Sequence, residues 1–114
     1  MYQFENLEVW KRACQLAVRM YSELSQCRDY GLKDQMTRAA VSIASNIAEG
    51  AERRSKKDFV NFLSIAKGSA AELRTQLYIA SRAKILDTAS CASLTLELKE
   101  ISAMLQGLIQ SLRK

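Results

Sequence analysis

The chain contains no histidine and no proline, only four glycines and three cysteines, and few aromatic residues. Without histidine it lacks the commonest general base near neutral pH and the usual nitrogen ligand of zinc, iron and copper sites. The absence of proline and the scarcity of glycine exclude collagen-like, turn-rich all-β and disordered classes, and favour long helices. Cys14, Cys27 and Cys91 are odd in number, far apart and without CxxC spacing. That excludes a disulfide framework or a structural zinc site and reads as reduced core thiols in a cytoplasmic protein. Glu5 and Glu8 interrupt the first twenty residues, so neither a signal peptide nor a membrane span is expected there.

What is present is apolar residue and charge in helical order. At 114 residues, 48% hydrophobic and 25% charged, the chain has the size of one domain, able to bury roughly two thirds of its unfolded surface. The net charge is +5 and is unevenly placed: residues 1–27 are neutral, whereas 28–57 carry seven positive and four negative side chains. The excess gathers at SNIAEGAERRSKKDF, residues 45–59.

Turn signals at Tyr30-Gly31, at Arg53 to Ser55 and at Asp87-Thr88 divide the chain into four segments. Gly31 suits the left-handed conformation that closes a helix, and Ser55 with Asp58 three residues later suits a capping box that opens one. Within the segments the apolar period is helical: Trp10, Ala13, Ala17, Met20, Leu24; then Leu32, Met36, Ala39, Ile43, Ile47, Gly50. It continues as Phe59, Phe62, Ala66, Ser69, Leu73, Gln76, Ala80, and as Leu94, Leu98, Ile101, Leu105, Leu108, Leu112. The pattern predicts an all-α fold, an antiparallel up-down-up-down four-helix bundle filling residues 1–114, with helices near 6–27, 32–53, 56–84 and 89–112.

At 100° per residue the fourth helix is apolar over a narrow arc. The first (Leu7, Val9, Trp10, Leu16, Met20, Tyr21) and the third (Ile79 and Ile65 round to Leu63) are apolar over arcs too wide for one bundle interior. Scattered apolar surface is common on single helices, but two such helices point to self-association.

Candidate chemistry is sparse. Gln35, Ser42, Asn46, Glu49 and Arg53 form one polar stripe on the second helix, beside a small-residue face of Ala39, Ala40, Ala44 and Ala48. Glu72 lies between Ile65 and Ile79, where a carboxylate has to be paired or reach water. Folding the hairpin about residue 54 brings Glu72 level with Gln35 and Arg38, within one chain or between subunits. A di-metal reading of these carboxylates fails for want of histidine, so no metal or other cofactor is expected. Ala66-Lys67-Gly68-Ser69 lacks the upstream glycine of a phosphate loop and sits within a helix; Gly68 reads better as a point of close backbone approach. No serine or cysteine has an evident activating base, and no enzymatic activity is expected. Arg53, Arg54, Lys56 and Lys57 are four cations at one corner, with Lys67 and Arg74 continuing along the third helix. They form a solvated helix end in one copy; repeated around a ring of subunits, they become an array of phosphate contacts.

These residues carry a resemblance. Phe4, Leu7, Val9-Trp10, Tyr30-Gly31-Leu32, Gln35, Arg38, Ala39-Ala40, Ser42-Ile43 and Asn46-Ile47-Ala48-Glu49-Gly50 are followed by Arg53, Ser55, Phe62-Leu63, Ile65-Ala66, Gly68-Ser69 and Glu72-Leu73. This pattern resembles the bacterial four-helix bundle proteins encoded in intervening sequences of large-subunit ribosomal RNA genes. More distantly it is similar to the accessory proteins of diversity-generating retroelements, which bind a reverse transcriptase and nucleic acid. The resemblance implies a homopentamer and no enzymatic activity. Two loops depart from it: Leu24-Ser25 and Arg28 stand where members often have Phe-Pro and an acidic residue, and Ala83-Lys84-Ile85 where many have Leu-Gly-Tyr.

The expected function is therefore a non-enzymatic oligomer with a basic surface. It would bind structured RNA or DNA through Arg53, Arg54, Lys56, Lys57, Lys67 and Arg74, with Gln35, Arg38, Ser42, Asn46, Glu49, Ser69 and Glu72 as a structural or interface polar network. The alternative is a protein-interaction scaffold, for example for a reverse transcriptase or another nucleic-acid enzyme, without contact to nucleic acid.

Overall fold

The computed structural model describes residues 3–114. Among them are four α-helices and no strand: α1 Glu8–Glu23, α2 Tyr30–Ala51, α3 Lys56–Arg82 and α4 Thr88–Arg113, preceded by a 3-10 turn at Phe4–Asn6. Each helix packs on its neighbours in the chain, and α1 also packs on α4, while the diagonal pairs do not approach. The molecule measures 44 × 20 × 19 Å, about the length of α3 and the width of two packed helices.

Three of the helices begin at a side-chain cap. Asp29, Ser55 and Asp87 accept from the backbone N–H of Leu32, Asp58 and Ser90, respectively, each satisfying a donor that the first turn leaves free. The Ser55 cap is as the sequence predicts. The Asp29 cap overturns the predicted turn at Tyr30-Gly31: α2 starts two residues early, and Gly31 lies in its first turn with negative φ, ending nothing. The first helix is also shorter than the predicted 6–27. It stops at Glu23: after the last α-helical bond, from the Leu24 N–H to the Met20 carbonyl, the chain tightens into turns in which the Ser25 N–H bonds the Ser22 carbonyl and the Cys27 N–H the Leu24 carbonyl. Leu24 and Cys27 nonetheless stay buried, so the apolar period runs on through the turn after the helix has ended.

The end of α3 is a Schellman motif. The Ile85 N–H bonds the Ala80 carbonyl at 2.8 Å and the Lys84 N–H the Ser81 carbonyl at 3.1 Å. Lys84 occupies the left-handed position with φ 59°, the one non-glycine residue with positive φ among those described, and Ile85 folds back on the core.

The core is built from one face of every helix: Leu16 and Met20 of α1, Ile43 and Ile47 of α2, Leu63, Leu73 and Leu77 of α3, Leu94, Leu98, Ile101 and Leu105 of α4. Burying side chains of this size stabilises by about 1.5–3 kcal/mol each before entropy is deducted. The bundle hides much of the predicted wide arc of α1, while Tyr21 stays 55% exposed. Val9, Leu16 and Met20 are buried, and Trp10 is half-buried with the Phe4 ring edge-on at 5.2 Å, so the 3-10 turn supplies cover the helical wheel does not contain. On α3 the arc stays open, with Ile65 and Ile79 each 51% exposed. No helix among the described residues is long and apolar enough to cross a membrane.

Candidate functional site

The corner between α2 and α3 is shaped by a glycine other than the expected one. A Cβ on Gly50 would lie 2.7 Å from Phe62 Cβ and 3.0 Å from Phe59 Cδ1. Only glycine lets α3 come in so close. At Gly68, by contrast, a Cβ would meet nothing within 4 Å, so the close approach predicted there does not occur; the residue faces outward.

Phe62, seated against Gly50, carries the Arg53 guanidinium 4.8 Å from its ring centroid, and Arg53 also reaches Glu49 at 3.5 Å. Arg53 is thus half committed to the corner. Arg54, Lys56 and Lys57 are exposed, and among the described residues none has an ion-pair partner. They surround the Ser55 cap, with Glu52 and Asp58 flanking them. Lys67 and Arg74 lie further along α3: the Lys67 Nζ donates to Gln106 Oε1 of α4 at 2.6 Å, and Arg74 lines the groove between α3 and α4.

The predicted polar network divides into parts. Ser42 Oγ and Ser69 Oγ share a hydrogen bond of 2.9 Å between α2 and α3, and Asn46 Nδ2 donates to Ser42 Oγ at 2.9 Å and to the Ser42 carbonyl at 2.8 Å. Glu49 holds Arg53, while Arg38 pairs with exposed Asp34 at 3.1 Å within α2. Gln35 and Glu72 are exposed and make no hydrogen bond or ion pair among the described residues. The hairpin pairs Ser42 with Ser69, which sets Glu72 level with Ala39, beside Arg38 and one turn away from Gln35.

The strongest ion pairing was not predicted. Arg12 of α1 donates from Nε to Glu97 Oε2 at 2.8 Å and from Nη2 to Glu97 Oε1 at 2.5 Å and Glu100 Oε1 at 2.6 Å. The hydrogen bonds that Arg12 donates to Glu97, then to Glu100, raise its pKa further above the ordinary value. A rigid fork gripping two carboxylates is worth more than an exposed pair. The sequence signal was Glu97 and Glu100 at i and i+3 on one face of α4, the spacing at which one guanidinium spans both.

Burial raises the Cys14 thiol pKa; it also raises that of Cys91, helped by repulsion from Asp87 and Glu23. All three cysteines are free. Held neutral by burial, the Cys14 and Cys91 thiols make poor nucleophiles, and no group of three or more potential metal ligands gathers among the described residues.

Comparison with known proteins agrees with this architecture. The chain is similar to a crystal structure of a protein of unknown function from the S23 ribosomal protein family of Bacteroides thetaiotaomicron. The two are 28% identical, with a TM-score of 0.83 over 89% of this chain and 97% of the other. A search of curated proteins gave no match. Neither the neighbour nor the matching family is described by an enzymatic activity. Residues 5–107, nearly the whole bundle, match the family described as 23S rRNA-intervening sequence protein, and the chain belongs to that family.

Proposed function

We propose that this protein is a non-enzymatic nucleic-acid-binding module of the cytoplasm, an up-down-up-down bundle that assembles into a homo-oligomer, pentameric by the resemblance of its sequence. The observation that carries this reading is the trio Arg54, Lys56 and Lys57, exposed together at a corner stiffened by Gly50 and Phe62 and free of ion-pair partners among the described residues. Phosphate contacts of this kind give affinity without base specificity, and repetition around an oligomer multiplies them. Half-exposed Ile65 and Ile79 on α3 supply apolar surface for contacts between subunits.

Binding to a structured RNA should fall steeply between 50 and 200 mM salt, and reversing Arg54, Lys56 and Lys57 to glutamate should reduce the slope of log affinity against log salt by about one for each phosphate contact removed. Salt-insensitive binding by the wild type, or none at 50 mM, overturns this reading. Sedimentation at micromolar concentration tests the assembly: a species of 12.8 kDa alone overturns it.

The same isoleucines favour a second reading, a scaffold for a nucleic-acid enzyme with no contact to nucleic acid. Capture of one protein partner that survives nuclease treatment and is lost on Ile65→Asp and Ile79→Asp would select it.

A further inference from the structure

The outer seam of α3 and α4 is a groove of about 760 Å³. Arg74 of α3 and Lys99 of α4 line it from opposite walls, together with Thr75, Tyr78, Thr95 and Leu96; no carboxylate takes part in the lining. The two helices are not short of acid, so the one-signed lining has structural causes. Glu97 and Glu100 of α4 are drawn to the α1 side by Arg12. Glu72 of α3 lies two residues from Arg74, about 160° round the helix at 100° per residue. Asp87, at one end of the groove, is engaged by the N–H and hydroxyl of Ser90. Lys67 extends the cationic line one heptad from Arg74 and meets only the neutral amide of Gln106.

The apolar part is equally unusual. Tyr78 is 63% and Leu96 60% exposed. The phenol oxygen of Tyr78 accepts from Arg82 Nη1 at 3.2 Å, with the guanidinium 5.5 Å from the ring centroid, so the ring is held in place while much of it stays open. Cations on both walls with a fixed, accessible aromatic surface match a partner that carries phosphates along a backbone and flat apolar groups beside it. A duplex hides those flat groups in its stack; a single strand presents them.

We infer that the α3–α4 groove binds single-stranded nucleic acid, with phosphates at Arg74 and Lys99 and a base stacked on Tyr78 beside Leu96. This deepens the proposed function and rests on it: the strand passes from the exposed corner cations past Lys67 into the groove.

Fluorescence anisotropy with a labelled single-stranded 20-mer, and with the same sequence as a duplex, tests the assignment on wild type, Tyr78→Ala, Lys99→Glu and an Arg54→Glu/Lys57→Glu corner variant. Tyr78 and Lys99 are exposed, and unchanged thermal unfolding confirms that the substitutions are local. Tyr78→Ala is expected to weaken single-strand binding about tenfold and leave duplex binding within about twofold, the size of one lost base–aromatic stack. Lys99→Glu weakens the single strand about as much and lowers its salt dependence. If both groove variants bind the single strand as wild type does while the corner variant does not, the groove assignment fails and the corner reading survives. If wild type binds neither form, both fail. Preference for the duplex, or displacement of the strand by an equally charged poly-glutamate, also overturns the groove assignment.

Discussion

Gly50 of α2 sits against Phe62 of α3 with no room for a methyl group: the Cβ of any other residue would come within 2.7 Å of the Phe62 Cβ. The obstructing atom is fixed to the backbone and cannot swing aside. Alanine in a helix interior ordinarily gains up to about 1 kcal/mol over glycine, but forcing apart two packed helices costs about 1–3 kcal/mol. The net is a loss of up to about 2 kcal/mol, so Gly50→Ala should lower the melting temperature by up to about 10 °C. At Gly68, where the same methyl meets nothing within 4 Å, the substitution should raise stability by about 0.5–1 kcal/mol. Thermal unfolding of both variants checks the opposite signs; a stabilised Gly50→Ala would refute the close contact.

Lys84 bears the strain of the α3 terminus. Its φ of 59° is a left-handed conformation that costs an L-residue with a Cβ about 1 kcal/mol and a glycine almost nothing. Lys84→Gly should stabilise the fold by about 0.5–1 kcal/mol, the greater freedom of glycine in the unfolded chain offsetting part of the gain. Lys84→Ala should gain nothing. Urea midpoints at constant slope distinguish the two.

The Arg12 fork joins the first helix to the last. Its side chain and that of Glu97 are 25% and 27% exposed, sheltered enough for the pair to matter. Arg12→Lys keeps the charge and loses the two-pronged geometry, an expected cost of about 1 kcal/mol; Arg12→Ala should cost about 1–2 kcal/mol. A double-mutant cycle with Glu97→Gln measures the coupling, and a value near zero would reduce the fork to a surface pair.

Cys14 and Cys91 give stability a pH dependence. Burial favours their neutral form and raises both pKa values in the folded state. The contribution is fully present below the pKa of an unfolded thiol, about 8.5, and is lost as pH rises through the higher folded values. The free energy of unfolding should decline as pH rises above about 8.5, and less so in the Cys14→Ala/Cys91→Ala variant. Parallel curves for wild type and variant would contradict the shifts.

Much of the fold can be read in the sequence because its signals are local. The predicted starts of the third and fourth helices fall within one residue of the observed ones, since Ser55 and Asp87 cap where apolar periods begin. The end of the first helix could not be read this way: Leu24 and Cys27 keep the period while the backbone turns. Nor can a glycine's spacing reveal what stands opposite it, which is why the close approach expected at Gly68 is found at Gly50 instead. Of the expected polar network, Ser42, Asn46 and Ser69 do come together. Arg12 and Glu97 are 85 residues apart in sequence, and only the closing of α1 on α4 brings them into contact. Gln76, predicted in the third apolar seam, is indeed buried, yet its carbonyl oxygen has no hydrogen-bond partner among the described residues, and nothing in its spacing announces that.

The uninterrupted length of α3 has a metric consequence. Lys56 and Arg74 stand on one helix, eighteen residues and about 27 Å apart at 1.5 Å per residue, and that interval cannot shrink without melting the helix. For a strand laid from the corner into the groove, the helix acts as a ruler: an oligonucleotide too short to reach that far can touch one end or the other, so affinity should rise abruptly at a threshold length rather than in even increments.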